Sequence, residues 1–444
     1  MDRDEDELAR VLMQALSAAS QRVAVVGGGW AGLAAAVEGV QRGHAVTLFE
    51  MAAQFGGRAR AVDVSGLTVD NGQHILIGAY VDTLHLLRIV GVDVEAAFLR
   101  MPLLISYPDG TGLRLVPGVA ALAFAGAVMR QQGWSIRERL VLLATAMGWS
   151  ARGFKCDPRL TVAALTSSVP ARVRQELIDP LCVAALNTPA SEASAAVFLR
   201  VLKDALFFGP GSADLLLPRA SLSELLPAPA VRWLQRAGAT LRSGHRVRSL
   251  ERVGPVWRLD GLSFDHVVLA CTPGESARLA QSVAPEWSRA AASLQYEPIV
   301  TVYLRSVGSR LPDPMLALRE DAHSPAQFVF DRGQLGGPEG LLAFVISGAR
   351  NWVDQGSAAT EEATLAQARK VLGPYLRGPL HIVGTLTEKR ATFRCTPNLQ
   401  RAPMHIAPGL LAAGDHVAGP YPATLEGAVR SGLAAARWID QMRG

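Results

Sequence analysis

The stretch from Arg22 to Arg60 constrains the fold more than any other. It opens RVAVVGGGWAGLAAA and closes VTLFEMAAQFGGRAR. Val23 to Val26 read as a buried strand, and Gly27, Gly29 and Gly32 form G-x-G-x-x-G at the head of an alanine-rich helix. Gly27 permits the tight strand-to-helix turn, Gly29 removes a side chain where a pyrophosphate must approach the backbone, and Gly32 lets helix and strand pack closely. The unpaired N–H groups of the new helix then hold an anion. A second strand, Ala45 to Phe49, ends at Glu50, whose carboxylate stands where it can accept hydrogen bonds from an adenosine ribose. Glycines also make ordinary turns. Here strand, helix, second strand and terminal acid fall in order, which makes the unit a dinucleotide site.

Gly56, Gly57 and Arg58 follow as a second glycine pair with a cation, an arrangement suited to a diphosphate that leads to a flavin rather than a nicotinamide. GGRA in this place resembles the FAD-containing amine oxidase and phytoene desaturase superfamily. The resemblance implies an α/β fold: a Rossmann-type FAD-binding domain with an inserted α+β substrate domain. The far end of the chain supplies a matching piece. Gly409 to Asp415 reads as a strand ending in Gly414 and Asp415, placed for a ribityl chain or the phosphates. PYPATLEGAVRSGLAAA then starts a helix with a small-residue face, on whose first turn lie Thr424, Leu425 and Glu426. Its N-terminal N–H groups would stabilise a reduced flavin. No second G-x-G-x-x-G is visible for NADPH, so electrons come from a transient donor or from the substrate. No tethering pattern is visible, and FAD is expected to be non-covalent.

At 444 residues the chain is long enough for two domains, and 49% hydrophobic content with 19% charge excludes global disorder. The net charge of +5 comes without a basic block carrying interleaved aromatics, so no nucleic-acid partner is expected. Cys156, Cys182, Cys271 and Cys395 are isolated, which supports neither a metal site nor a disulfide framework and suits buried thiols in a reduced compartment. The acidic start MDRDEDELAR lacks the features of a signal peptide, and a cytoplasmic location is expected. Gly118 to Met129 and Leu140 to Trp149 are apolar runs around the charged Arg130 to Arg139. They predict two helices joined by a basic turn bearing Trp134, each too short for the roughly 20 residues of a membrane span. They either form a plain helical core or dip into one leaflet, giving peripheral contact with the inner face of the cytoplasmic membrane.

Segments 20–105, 213–290 and 386–444 are assigned to the FAD domain, and 106–212 (helical) and 291–385 (sheet) to the substrate domain. Helices are predicted over Glu7 to Ala19, Asp82 to Val90, much of Leu160 to Ala205, Ser221 to Ala237 and Thr360 to Leu372. Ala61 to Asp70 reads as one strand, Pro102 to Pro117 as a hairpin turning at Tyr107-Pro-Asp-Gly110, and GPGSADLLLPRA as a loop. Short strands follow between Thr240 and Ala270, an antiparallel sheet between Glu297 and Ile346, and a strand over His381 to Thr387. In the superfamily the position of Val247 offers backbone contacts to adenine.

Together, GGGWAGLAAA, GGRARA, DNGQHILIGAY, EKRATFRCTPNLQRAP and AAGDHVAGPYPATLEGAVRSG resemble the squalene-associated flavoenzymes of bacterial hopanoid synthesis, the hydroxysqualene dehydroxylases. The resemblance implies an apolar isoprenoid substrate, hydroxysqualene, reduced to squalene by reduced FAD. Composition and spacing alone stop at a flavoenzyme with an apolar substrate. Replacing an allylic hydroxyl by hydrogen needs a proton for the departing oxygen and a hydride for carbon. His74 is the candidate acid and Gln73 the group that orients the hydroxyl, although a histidine in a buried loop also serves as a structural hydrogen-bonder. Arg58 is expected at the diphosphate. Arg390 and Arg394 are expected to hold a headgroup, a carboxylate or the flavin edge, and Cys395 to be a core thiol. Two alternatives stay open: a carotenoid-type desaturase or isomerase running hydride transfer the other way, and a non-redox isoprenoid carrier akin to the GDP-dissociation inhibitors.

Overall fold

The computed structural model describes residues 20–207 and 209–441, so the helix expected over Glu7 to Ala19 lies outside the described residues. At its centre is a six-stranded sheet in the order Thr240–Arg242, Ala45–Phe49, Arg22–Val26, His266–Leu269, Leu410–Ala412, His405–Ala407. The first five run parallel and the last is antiparallel. Parallel strands covered on both faces must be apolar throughout, which is why RVAVV, HVVL and LLA show no alternation.

One face is covered by the glycine-loop helix Trp30–Gln41 and the closing helix Leu425–Gln441, which pack directly on each other. Their separation is set by Gly432, where a Cβ would run into the carbonyl oxygen of Ala31. The helix Val81–Ile89 forms as expected and joins the same core.

Several elements differ from expectation. Ala61 to Asp70 is a hairpin, Ala61–Val64 with Leu67–Asp70, because Ser65 and Gly66 both take positive φ in a two-residue turn. The run LLLP is no loop: Leu215–Pro218 is the central strand between Leu76–Ile77 and Phe98–Met101, with proline confined to its last position. Leu262–Phe264 adds a third strand to the meander of Leu250–Val253 and Val256–Leu259, whereas His245 to Ser249 is not strand. Pro180 lies inside a continuous helical run, Ala171–Val173, Arg174–Ile178 and Asp179–Leu186, and the wider π-helical turn at Arg174–Ile178 immediately precedes it.

The inserted region carries a five-stranded antiparallel sheet, ordered Met315–Ala317, Phe328–Asp331, Leu341–Ile346, Tyr296–Arg305, His381–Phe393. The last strand continues six residues past the expected Thr387, so the boundary drawn at 385/386 falls inside it. Ser357–Leu372 closes one face of this sheet. The other face meets a helical layer that includes Ala120–Arg130, Ile136–Ala151 and Ala195–Phe207, and Tyr303, Phe330 and Ala343 share one apolar cluster with Ala123, Leu142 and Phe198. The hairpin Leu104–Ser106 with Gly112–Arg114 forms as predicted.

Replacing Gly432 by alanine is expected to wedge the two cofactor-side helices apart, at a cost of about 1–3 kcal/mol of unfolding free energy. Urea titration of the purified variant measures it, and an unchanged midpoint would show that the helices can separate freely.

Candidate FAD site

Gly27 has φ +111° and donates its N–H to Phe49 O at 2.7 Å, which carries the chain from the first strand into the turn. A Cβ there would stand 2.5 Å from Ala270 O, and one on Gly32 would run into Gly27 O. Gly29 differs. It is the N-cap of Trp30–Gln41, and a Cβ there would meet nothing closer than Gly57 Cα at 3.9 Å. Two of the three glycines are therefore required by the protein's own packing, while the third keeps a helix N-terminus open to an incoming group.

Glu50 is buried, with Oε2 accepting from Gly28 N–H at 2.7 Å and Oε1 from Ala52 N–H at 2.8 Å. An ionised carboxylate accepts about four hydrogen bonds, so these two fix its orientation and leave lone pairs for a ribose. The second glycine pair lies against the first loop: Gly56 N–H donates to Gly28 O at 2.8 Å, and Gly57 faces Gly29. Val247 is buried at the end of the same sheet, and its carbonyl accepts from Arg278 Nη2 at 2.7 Å.

Arg58 reaches across the molecule. Its Nη2 donates to Asp415 Oδ1 at 2.6 Å, and its Nη1 donates to the carbonyls of Ala391 at 2.8 Å and Arg390 at 3.3 Å. Burial would raise the Asp415 carboxyl, but the Arg58 guanidinium and His416 overcome that and hold it well below the usual carboxylate range. Two imidazoles accompany the pair. His416 Nδ1 lies 3.8 Å from Asp415 Oδ1, and His74 feels the Arg58 charge. His74 Nδ1 and His416 Nε2 are buried without a hydrogen-bond partner among the described residues. Burial, reinforced by Arg58, pulls His74 down to about 4.

The closing helix begins in strained backbone. Tyr421 and Ala423 both take left-handed φ near 58° and 57°, a conformation that costs a non-glycine residue about 1–3 kcal/mol and is concentrated at functional sites. Thr424 caps the helix, its Oγ1 accepting from Gly427 N–H at 2.9 Å and donating to Tyr421 O at 2.8 Å. Leu425 is the first helical residue. Glu426 turns its side chain away from the cofactor region. Fully buried, it accepts from Thr83 N–H at 2.9 Å, Thr83 Oγ1 at 2.6 Å and Arg430 Nε at 2.8 Å, closing the N-terminus of Val81–Ile89. Only its backbone remains for a cofactor. Gly414 N–H donates to Ser431 Oγ at 2.7 Å, docking the strand end on this helix.

Gln73 sits in a network that local sequence does not announce. Its Nε2 donates to Tyr303 Oη at 2.9 Å, its Oε1 accepts from Arg332 Nη1 at 3.2 Å, and Tyr303 Oη donates to Asp70 O at 2.9 Å. Tyr303 comes from the inserted sheet and Arg332 from the turn between its strands Phe328–Asp331 and Leu341–Ile346, both more than 200 residues from Gln73, with no spacing to signal the meeting. Arg394 does not stand free for a ligand; it is paired with Glu192 and, at 3.6 Å, with Glu297. Cys395 is a core thiol, pushed up by burial to about 12.

Comparison with known proteins matches residues 30–439 to the family described as flavin containing amine oxidoreductase. This chain belongs to that family. It is therefore an FAD-dependent oxidoreductase. The chain is 28% identical to a hydroxysqualene dehydroxylase of Sinorhizobium fredii, over 94% of this chain and 97% of the relative. It is 25% identical to a 15-cis-phytoene desaturase of an Oncidium hybrid cultivar, over 94% of this chain and 78% of the relative. The fold matches that of a cyclohexylamine oxidase from Brevibacterium oxydans with a TM-score of 0.69 at 16% identity, covering 95% and 99% of the two chains.

The residues present fit FAD. The open helix N-terminus at Gly29 accepts a pyrophosphate, and the unpartnered His74 Nδ1 and His416 Nε2 beside Asp415 are the buried polar atoms that a polar ring system would satisfy. Gly29→Ala should therefore deplete flavin while leaving the unfolding midpoint of the flavin-free protein unchanged. Flavin absorbance per polypeptide measures the first, and full occupancy would move the pyrophosphate elsewhere.

A second outcome follows from His74. Its folded-state value of about 4 lies below the ordinary 6.5, so between those values the unfolded chain binds more protons at this ring, and stability falls as pH drops through the window. In the flavin-free protein His74→Gln should flatten that part of the stability–pH curve. An identical slope in the variant would mean that the ring titrates normally.

Proposed function

We propose that this flavoenzyme reduces hydroxysqualene to squalene. The observation that carries the reading is the match to a hydroxysqualene dehydroxylase along nearly the full length of both chains, which spans the cofactor segments and the inserted substrate region together.

The net change replaces C–OH by C–H: a proton leaves with the hydroxyl as water, and a hydride is added to the allylic carbon. Reduced FAD, when bound, supplies that hydride. The chain must bind the hydroxyl, exclude bulk water and favour loss of the oxygen. With a value of about 4, His74 is neutral at physiological pH, with roughly one ring in a thousand protonated. As a neutral ring with a hydrogen bond to the Gly72 backbone, His74 would offer its unpartnered Nδ1 as an acceptor to the substrate O–H, so on this reading it orients the hydroxyl and the proton that leaves with the oxygen is drawn from solvent. Gln73, held by Tyr303 and Arg332, presents its amide in one orientation. The Arg58 charge is neutralised by Asp415, which limits its repulsion of a developing allylic cation.

Anaerobic mixing of the chemically reduced holoenzyme with hydroxysqualene should restore the oxidised flavin spectrum and release squalene. His74→Ala should slow that step about tenfold to a hundredfold, the worth of a hydrogen bond to a group gaining charge, while flavin content and reaction with oxygen persist. The phytoene desaturase match supports a second reading, oxidation of a polyene. In that case phytoene would bleach the oxidised enzyme and hydroxysqualene would leave the reduced enzyme unchanged. A carrier would give neither signal.

A further inference from the structure

Seven of the thirteen large hydrophobic side chains exposed among the described residues fall within one short stretch: Val116, Val119, Leu122, Met129, Ile136, Leu140 and Met147. The others are scattered. Leu122 and Met129 are seven residues apart on Ala120–Arg130, and Ile136, Leu140 and Met147 recur at offsets of four and seven on Ile136–Ala151, so each helix shows a single apolar stripe outward. The helices form a pair, joined where Arg139 Nη1 donates to Met129 O at 2.8 Å. Leu122, Ile136 and Met147 are 73%, 67% and 66% exposed. Side chains this accessible contribute nothing to the core behind them, which is made by Ala123, Ala127, Val128 and Leu142.

The unpaired charge around this patch is basic, since the nearby Glu176 and Asp157 are paired with Arg172 and Arg159. Between Val116 and Cys156 stand five basic residues, Arg130, Arg137, Arg139, Arg152 and Lys155, against one acid, Glu138. The Glu138 carboxylate is occupied in capping its own helix, accepting from Ser135 N–H at 2.7 Å. Arg130, Arg137, Arg152 and Lys155 are exposed, and none is in an ion pair among the described residues. A second copy of the chain, seated by a twofold axis, would bring these like charges together. No described helix is long and apolar enough to cross a membrane.

We infer that the helical pair Ala120–Arg130 and Ile136–Ala151 is a docking surface for an anionic lipid bilayer, with the apolar stripes entering the headgroup region and the basic residues on lipid phosphates. Neither term alone suffices for firm attachment, and the two act together. If the proposed isoprenoid substrate is right, the same surface adjoins its source, because Phe124 belongs to the apolar cluster that reaches Ala423.

Flotation of the holoenzyme with vesicles tests docking without any substrate, so its failure is distinct from failure of the proposed reaction. The wild type should float with phosphatidylcholine vesicles containing phosphatidylglycerol, less with phosphatidylcholine alone, and less as salt rises. The triple variant Leu122→Ser, Ile136→Ser, Met147→Ser should lose flotation at unchanged flavin content. Arg130→Gln, Arg137→Gln, Arg152→Gln should weaken binding to the anionic vesicles on the order of a hundredfold, at about fivefold per basic residue. Val253→Ser with Val307→Ser, exposed elsewhere, should float as the wild type does. Docking here is overturned if the serine triple variant floats normally, if the control pair loses as much, or if the wild type stays at the bottom and the serine variant merely converts a dimer to a monomer in sedimentation.

Discussion

The guanidinium of Arg58, on the segment after the second glycine pair, ties that segment to two others far off in sequence: the carbonyls of Arg390 and Ala391 on the last inserted strand, and Asp415 beyond the final parallel strand. The cofactor region is assembled from pieces that enclose nearly the whole chain, and this contact is where they close. As a net source of stability a largely buried ion pair is weak, since desolvation cancels most of the attraction. Its value is positional. Removing either partner strands the other, so the pair tolerates only the arrangement in which the glycine loop, the inserted strand and the closing helix are all in place. Asp415 remains ionised because Arg58 is there, and Arg58 is oriented because two carbonyls receive its other nitrogen.

That arrangement also sets the state of His74. A cation close by and burial act in the same direction on an imidazole, so the ring is neutral where an unperturbed histidine would begin to charge. Neutrality is compatible with the chemistry of a leaving hydroxyl, because an imidazolium would add a second positive charge beside an allylic carbon that is becoming positive. Gln73 follows the same logic. A carboxamide fixed at both ends by Tyr303 and Arg332 offers a dipole with one orientation and no net charge.

The legible part of the site was the part whose constraints are local. Gly27 takes φ +111° and Gly32 stands where a Cβ would strike Gly27 O, so the spacing of the glycines carries the turn within it. Thr424 caps the helix that its neighbours announce by composition. What escaped depends on distant pairing. LLLP has no periodicity to separate strand from loop, and it became a central strand only because Leu76–Ile77 and Phe98–Met101 flank it. The strand expected to end at Thr387 runs on through EKRATF to Phe393, held by its pairing along Tyr296–Arg305. Glu426 was placed on the right helix turn, but its carboxylate is claimed by Thr83, which no local pattern reveals.

The same distinction separates cofactor from substrate. Everything that the glycine loops, Glu50, Asp415 and the closing helix do is indifferent to the direction of electron flow, since a helix N-terminus that favours reduced flavin stabilises it as reactant or as product. Direction depends on whether a site also lets an oxygen leave, and under the proposed function the group that bears on this is Gln73, which Tyr303 and Arg332 reach from the inserted sheet. A Rossmann-type unit can therefore keep its whole cofactor apparatus while the inserted domain exchanges one reaction for another. In this chain the inserted sheet brings Tyr303 and Arg332 to Gln73, and the one cation of that corner, Arg332, lies 3.8 Å from Asp70, so the corner is set by partners that the cofactor segments do not supply.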